Sequence, residues 1–249
     1  MLKPSDVIKF DNLVSMCAVN GRVDSGIGTY SEKSLHFVLK NFFECESDYH
    51  EVAYKGFIAD VMHGDSITEI QTSTLNGMQK KLDAFLEEKT VRIVYPLIKK
   101  KTIIWIDSDT GETERSDKSI KYETDYTLLG QLFYISEYLR DPALTVTVVD
   151  VEADDYREVS GNSPYRKKRA KKVDIVPTKL LDVRDLVFPD DVISLIPQSL
   201  PMPFTRDELS RSVHLRGRDL WAALKLLEAL RLIERTEPRG RKHQYMKLT

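Results

Sequence analysis

GFIADVMHGDSITEIQT, residues 56–72, decides how the chain is read. Two short runs of alternating apolar and polar residues, FIADVM and ITEIQT, flank His63-Gly64-Asp65-Ser66. That is the pattern of two strands joined by a hairpin turn. Asp60, Glu69 and Gln71 occupy strand positions that usually carry apolar residues. In a strand, residues two apart share a face. Pairing about the turn therefore sets Asp60 beside Glu69, with Gln71 next along. Two carboxylates that close raise each other's pKa unless a cation stands between them. A hard divalent ion suits oxygen donors of this kind. The bland alternative is a solvated cross-strand pair on an exposed face.

The surroundings extend the pattern. Upstream, Glu32, Leu35, His36, Leu39 and Phe43 recur at helical spacing, with Thr29 or Ser31 as N-cap. This makes Glu32 a third carboxylate at the end of an apolar stripe. His36, on the same stripe, reads as a packed helix residue. HEVAYKG alternates like an edge strand. Downstream, Leu75, Met78, Leu82 and Phe85 mark a second helix, and VRIVYPLI and TIIWID read as two buried-type strands. A helix near residues 126–139 and a strand at LTVTVVDVE, 144–152, complete the pattern. The fold class expected is α/β: a mixed central sheet flanked by helices, followed by a small α+β module.

Charge divides the chain. Residues 201–249 hold 11 Lys and Arg against 6 Asp and Glu, although the whole protein has net charge −2. In this basic module, TRDELSRSV carries a capping box, Thr205 with Glu208. GRDLWAALKLLEALRLI is a longer helix with Leu220, Leu224, Leu227 and Arg231 on one face, widened by Ala223 and Leu230. A hairpin with its tip at Pro238-Arg239-Gly240 follows. Helix, turn, helix, hairpin is the winged-helix order. Arg216 and Arg218 would open the helix that enters a major groove, and Arg239, Arg241, Lys242 and His243 would contact phosphates from the wing. Trp221 reads as core. The division expected is 1–160, 161–200 and 201–249. The middle segment holds a basic loop, Arg166 to Lys172, and a proline-punctuated connector.

The constellation Glu32, Asp60, Glu69-Ile70-Gln71 resembles the PD-(D/E)xK nuclease superfamily, and several stretches are similar to uncharacterised bacterial proteins. The resemblance implies a restriction-endonuclease-like domain that hydrolyses phosphodiester bonds with Mg²⁺ or Mn²⁺. Asp60, Glu69 and the carbonyl of Ile70 would hold the metal. Gln71 stands where the family has lysine; Lys80 or Lys81 could supply the missing charge. A catalytically inactive nuclease-like domain in a DNA-binding regulator or complex subunit is the alternative. Double-stranded DNA is the expected partner, in restriction, phage defence or mobile-element biology, and a homodimer is left open.

Other classes lack support. No apolar run nears the roughly 20 residues of a membrane helix. No secretory pattern opens the chain, so a cytoplasmic location is expected. No phosphate-binding glycine loop ending in Lys-Ser/Thr occurs, so no nucleotide cofactor is expected. Cys17 and Cys45 lack metal-like spacing.

Overall fold

The computed structural model describes residues 2–19, 32–116, 123–159 and 170–248. The caps at Thr29 or Ser31, the turns near residues 20 and 26, and Arg166–Arg169 of the basic run lie outside them.

The protein is mixed α/β, with a seven-stranded sheet flanked by helices. Helix α1 (Pro4–Val19) precedes α2 (Ser34–Phe43). Strands β1 (His50–Tyr54), β2 (Phe57–His63) and β3 (Ser66–Ile70) form an antiparallel meander. Lys55 and Gly56 both have positive φ in the first turn, and Gly64 opens the second at φ +61°. Glycine takes that conformation without a Cβ clash. Helix α3 (Gln79–Leu86) lies in the crossover to β4 (Thr90–Asp107), which neighbours β3. Strand β5 (Thr113–Arg115), helix α4 (Asp125–Leu132), β6 (Leu144–Val159) and β7 (Lys171–Asp185) follow. The sheet order is β1-β2-β3-β4-β6-β7, with β5 pairing β4.

Two expectations are corrected here. VRIVYPLI and TIIWID are one 18-residue strand, not two. The lysines between them looked like a break. Instead Lys99 and Lys100 reach Asp150 and Glu152 on β6, each at 3.5 Å, so the ladder runs through the charged stretch. Residues 171–185, read as connector, are the edge strand β7. Pro177 suggested a loop, but an edge strand tolerates a residue that cannot donate to a ladder.

The chain forms two compact units, and they do not follow one another in sequence. One comprises residues 1–72, 93–122 and 147–184; the other comprises 73–92, 123–146 and 185–249. In the first unit, Leu35, Val38 and Leu39 of α2 pack with Ile70, Val94, Ile98, Val149 and Phe10 of α1. Each such side chain stabilises the fold by about 1.5–3 kcal/mol when buried.

The second unit holds α3 and α4. Leu75 and Met78, expected in α3, precede it as buried residues. The helix expected over 126–139 is shorter, α4 followed by a 3₁₀ turn at Phe133–Ile135. Then come α5 (Asp190–Ser194), β8 (Phe204–Thr205), α6 (Arg206–Val213), α7 (Gly217–Ala229), β9 (Ile233–Arg239) and β10 (Lys242–Lys247). Strands β8, β10 and β9 form a three-stranded sheet in that order. The capping box is present: Thr205 N–H and Oγ1 donate to Glu208 Oε2 at 2.7 and 2.8 Å. Leu220, Ala223, Leu224, Leu227 and Leu230 are buried as expected, but Arg231 is exposed beyond the helix at φ +53°. Trp221 is not core: it is 45% exposed, with its ring edge-packed on Phe133 at 5.1 Å.

Candidate functional site: a carboxylate cluster joined by His36 and Lys40

The β2–β3 ladder pairs His63 with Ser66, Met62 with Ile67 and Val61 with Thr68. Asp60 and Glu69 are the next pair in that register. Here side chains replace the backbone ladder. Asp60 N–H donates to Glu69 Oε1 at 3.3 Å, and Ile70 N–H donates to Asp60 Oδ2 at 2.7 Å. Past this point the backbone turns to β4, with Gln71 N–H donating to Val94 O at 2.9 Å. Glu69 is fully buried, whereas the Asp60 side chain keeps 15% of its surface exposed.

Helix α2 completes the cluster. Glu32 is not in the helix; it lies just ahead of the N-cap residue, Lys33. From there its carboxylate reaches His36 Nδ1 at 2.7 Å and Lys40 Nζ at 2.7 Å. His36 Nε2 lies 3.3 Å from Asp60 Oδ2. Lys40 Nζ also meets Glu51 at 2.6 Å. His36 is therefore part of the cluster, not a packed core residue. Its two ring nitrogens face two carboxylates, so the imidazolium form donates to both. Burial pulls its pKa down, but the bonds to Asp60 and Glu32 outweigh this and lift it to about 9. For Glu32, burial raises the pKa, and the bonds to His36 and Lys40 outweigh that and bring it to about 2. Lys40 is pushed upward, with its burial outweighed by Glu32 and Glu51.

Strand β7 fixes the start of α2. Ser34 Oγ donates to Asp174 Oδ2 at 2.6 Å, and Ser34 N–H donates to the same carboxylate at 3.2 and 3.3 Å. Lys33 Nζ donates to Val173 O at 2.8 Å. A carboxylate at a helix N-terminus satisfies N–H groups that lack intrahelical partners and complements the helix dipole. The segment that looked like a connector thus anchors the helix carrying His36 and Lys40.

Lys40 and Glu51 carried no signal in the reading of isolated motifs. Lys40 was detectable: Glu32, His36 and Lys40 are spaced by four, the interval that stacks side chains along one helix face. Glu51 was not, because its role depends on a left-handed backbone at φ +53°, unusual for a residue with a Cβ. A cavity of about 630 Å³ opens over Glu32, His36, Lys40, Glu51, Asp60 and Thr72. Glu69 lies outside its lining.

The fit to Mg²⁺ or Mn²⁺ follows from this geometry. Such an ion needs converging oxygens at ~2.1 Å. Glu32 and Asp60 instead lie on opposite nitrogens of one imidazole, too far apart to share an ion. Among the described residues no group of three or more His, Cys, Asp or Glu is arranged to hold a metal. Asp60 and Glu69, the side chains the sequence pattern implied as ligands, accept instead from the backbone N–H groups of Ile70 and Asp60. Lys80 and Lys81 stand on α3 in the second unit; Lys80 is exposed, and Lys81 Nζ lies 6.0 Å from the Phe85 ring.

Among the described residues, the basic side chains of residues 204–247 differ in how they are held. Arg239 donates to Glu208 at 2.6 Å, and Lys242 pairs with Asp207. Arg239, then the backbone and hydroxyl of Thr205, hold Glu208 down to about 2. Arg218 lies 5.6 Å from the Tyr134 ring. Arg216, Arg241 and His243 are exposed.

Among the described residues no helix is long and apolar enough to cross a membrane. No solved structure matches the chain. A protein of Treponema pallidum (strain Nichols), described as uncharacterized, is 29% identical over 230 residues, covering 89% of this chain and 87% of its own. Residues 33–187, from α2 to just past β7, match the model of a domain of unknown function, and the chain belongs to that family, DUF8091.

Proposed function

We propose that this protein binds double-stranded DNA, with a PD-(D/E)xK-like first unit that is a nuclease-like scaffold rather than a cleaving centre. Residues 204–247 then serve as a winged helix that seats the chain on the duplex. One observation carries the reading. Asp60 and Glu69 oppose each other where β2 and β3 stop pairing, while the positions between carboxylates are filled by His36 and Lys40. Glu32, Asp60 and Glu51 thus already have cationic partners from within the chain. The exposed Arg216, Arg218 and Arg241 supply the positive surface that phosphates need.

A second reading, metal-assisted phosphodiester hydrolysis, is favoured by the cavity above Asp60 and the family-like order of its carboxylates. Incubation of supercoiled plasmid with Mg²⁺ or Mn²⁺, alongside a gel-shift assay, separates the two. The proposal expects a shifted plasmid without nicking. Nicking by the wild type that Glu69→Ala abolishes overturns the scaffold reading in favour of the enzyme. Absence of both nicking and shift overturns the DNA reading itself.

A further inference from the structure

The second unit has a groove whose aromatic lining the DNA reading leaves unused. It lies among α6, α7 and the β9–β10 hairpin, with a volume of about 360 Å³. That is at the small end of ligand pockets, roughly 300–1,000 Å³. Its apolar lining is Trp221, Leu224 and Tyr245. Leu224 and Tyr245 are buried, but Trp221 keeps 45% of its surface exposed. A half-open indole on a helix is an incomplete contact: one part packs on Phe133 and the rest lies against the groove.

The polar rim has a definite sign. Arg206, Lys225, Arg235 and Lys242 face the groove against two carboxylates, Asp207 and Glu228. Both carboxylates are already matched. Glu228 accepts from Lys225 and Arg235, each at 2.7 Å, and Asp207 accepts from Lys242. Arg206 donates only weakly, to Gly217 O at 3.4 Å, and His243, also in the lining, is exposed. The groove therefore has positive charge to spare around an aromatic surface.

We infer that this groove takes one unpaired nucleotide, the protruding end of a DNA strand, with its base against Trp221 and its phosphate at Arg206 and His243. The inference rests on the DNA reading and names the form of DNA preferred. A flat aromatic ligand with an attached anion is the chemistry that matches an exposed indole ringed by cations. Stacking on an aromatic side chain tolerates any base, so the site selects strand ends and not sequence. His243 also belongs to the hairpin expected to contact phosphates, which makes the groove continuous with the proposed duplex surface.

Fluorescence anisotropy with two labelled probes tests this: a blunt duplex and the same duplex with a short single-stranded overhang. The overhang duplex is expected to bind roughly fivefold tighter or more. Trp221→Leu and Arg206→Ala should each bring it down toward the blunt value, with circular dichroism confirming that both variants fold. Equal binding of the two probes by wild type overturns the inference and leaves the DNA reading standing. A preference for the overhang that survives both substitutions overturns the groove as its source. Failure to bind either probe overturns both.

Discussion

The carboxylate of Glu69 accepts the backbone N–H of Asp60 at 3.3 Å, at the position where the β2–β3 ladder gives out. The Asp60 carboxylate in turn accepts from Ile70 N–H. The two acidic residues therefore act as backbone acceptors across a strand junction, and Glu69 does so fully buried. Glu69→Ala is expected to destabilise the protein by about 2–4 kcal/mol, through a buried donor left without its acceptor and a cavity. Glu69→Gln keeps an acceptor oxygen and should cost less. Urea unfolding midpoints measure both. A loss below about 0.5 kcal/mol for the alanine variant would contradict this role.

Lys40 holds Glu32 and Glu51 together, with its side chain only 6% exposed. Lys40→Met leaves two carboxylates without their shared cation. Removing one member of a buried pair costs about 3–5 kcal/mol, and the exposure of Glu51 lowers the expected loss to roughly 1–3 kcal/mol. Glu32→Gln in the same chain should return part of it. A double-mutant cycle with zero coupling between residues 32 and 40 would show the contact to be energetically idle.

Stability should depend on pH through the same cluster. The folded pKa of His36 is lifted to about 9, from an ordinary 6.5. A raised pKa means the folded state binds the proton more tightly, so this stabilisation is complete below 6.5 and is lost as pH rises through 9. Glu32 is the reverse case: its pKa is brought to about 2, so its contribution is present above 4.5 and fades as pH falls toward 2. The cluster is thus strongest between about 4.5 and 6.5. Thermal melting of the wild type should drop between pH 7 and 9.5 more steeply than that of His36→Gln. Parallel curves would remove His36 from the account.

The basic residues of the second unit should not be equivalent. Arg239 is already paired with Glu208, whereas Arg216 and Arg241 make no ion pair among the described residues. Arg216→Ala and Arg241→Ala should each weaken duplex binding several-fold and lower the salt slope by about 1, with a smaller effect from Arg239→Ala. Filter binding across a salt series would check it. A ranking with Arg239 foremost would mean that the Glu208 pair opens on binding.

Local patterns in the sequence carried the meander, the capping box at Thr205 and the buried stripe of α7, because alternation, helical spacing and cap chemistry act over a few residues. They also placed Asp60 opposite Glu69. Long-range consequences were hidden. Lys99 and Lys100 hid the continuity of β4, since their partners on β6 lie about fifty residues away. Pro177 hid β7, since only its place at the sheet edge makes a proline acceptable there. His36 looked like a packed residue because its spacing matched an apolar stripe; the carboxylate that claims it, Asp60, comes from another element. Trp221 looked like core because hydrophobicity alone does not reveal which side of a helix is left uncovered.

The most direct test of the central claim is the affinity of the intact protein for a blunt duplex as salt is raised, measured by anisotropy without divalent ions. Binding should weaken ~10²-fold between about 50 and 200 mM salt, as about four phosphate contacts require. No measurable binding at the low-salt end, or an affinity indifferent to salt, would contradict it.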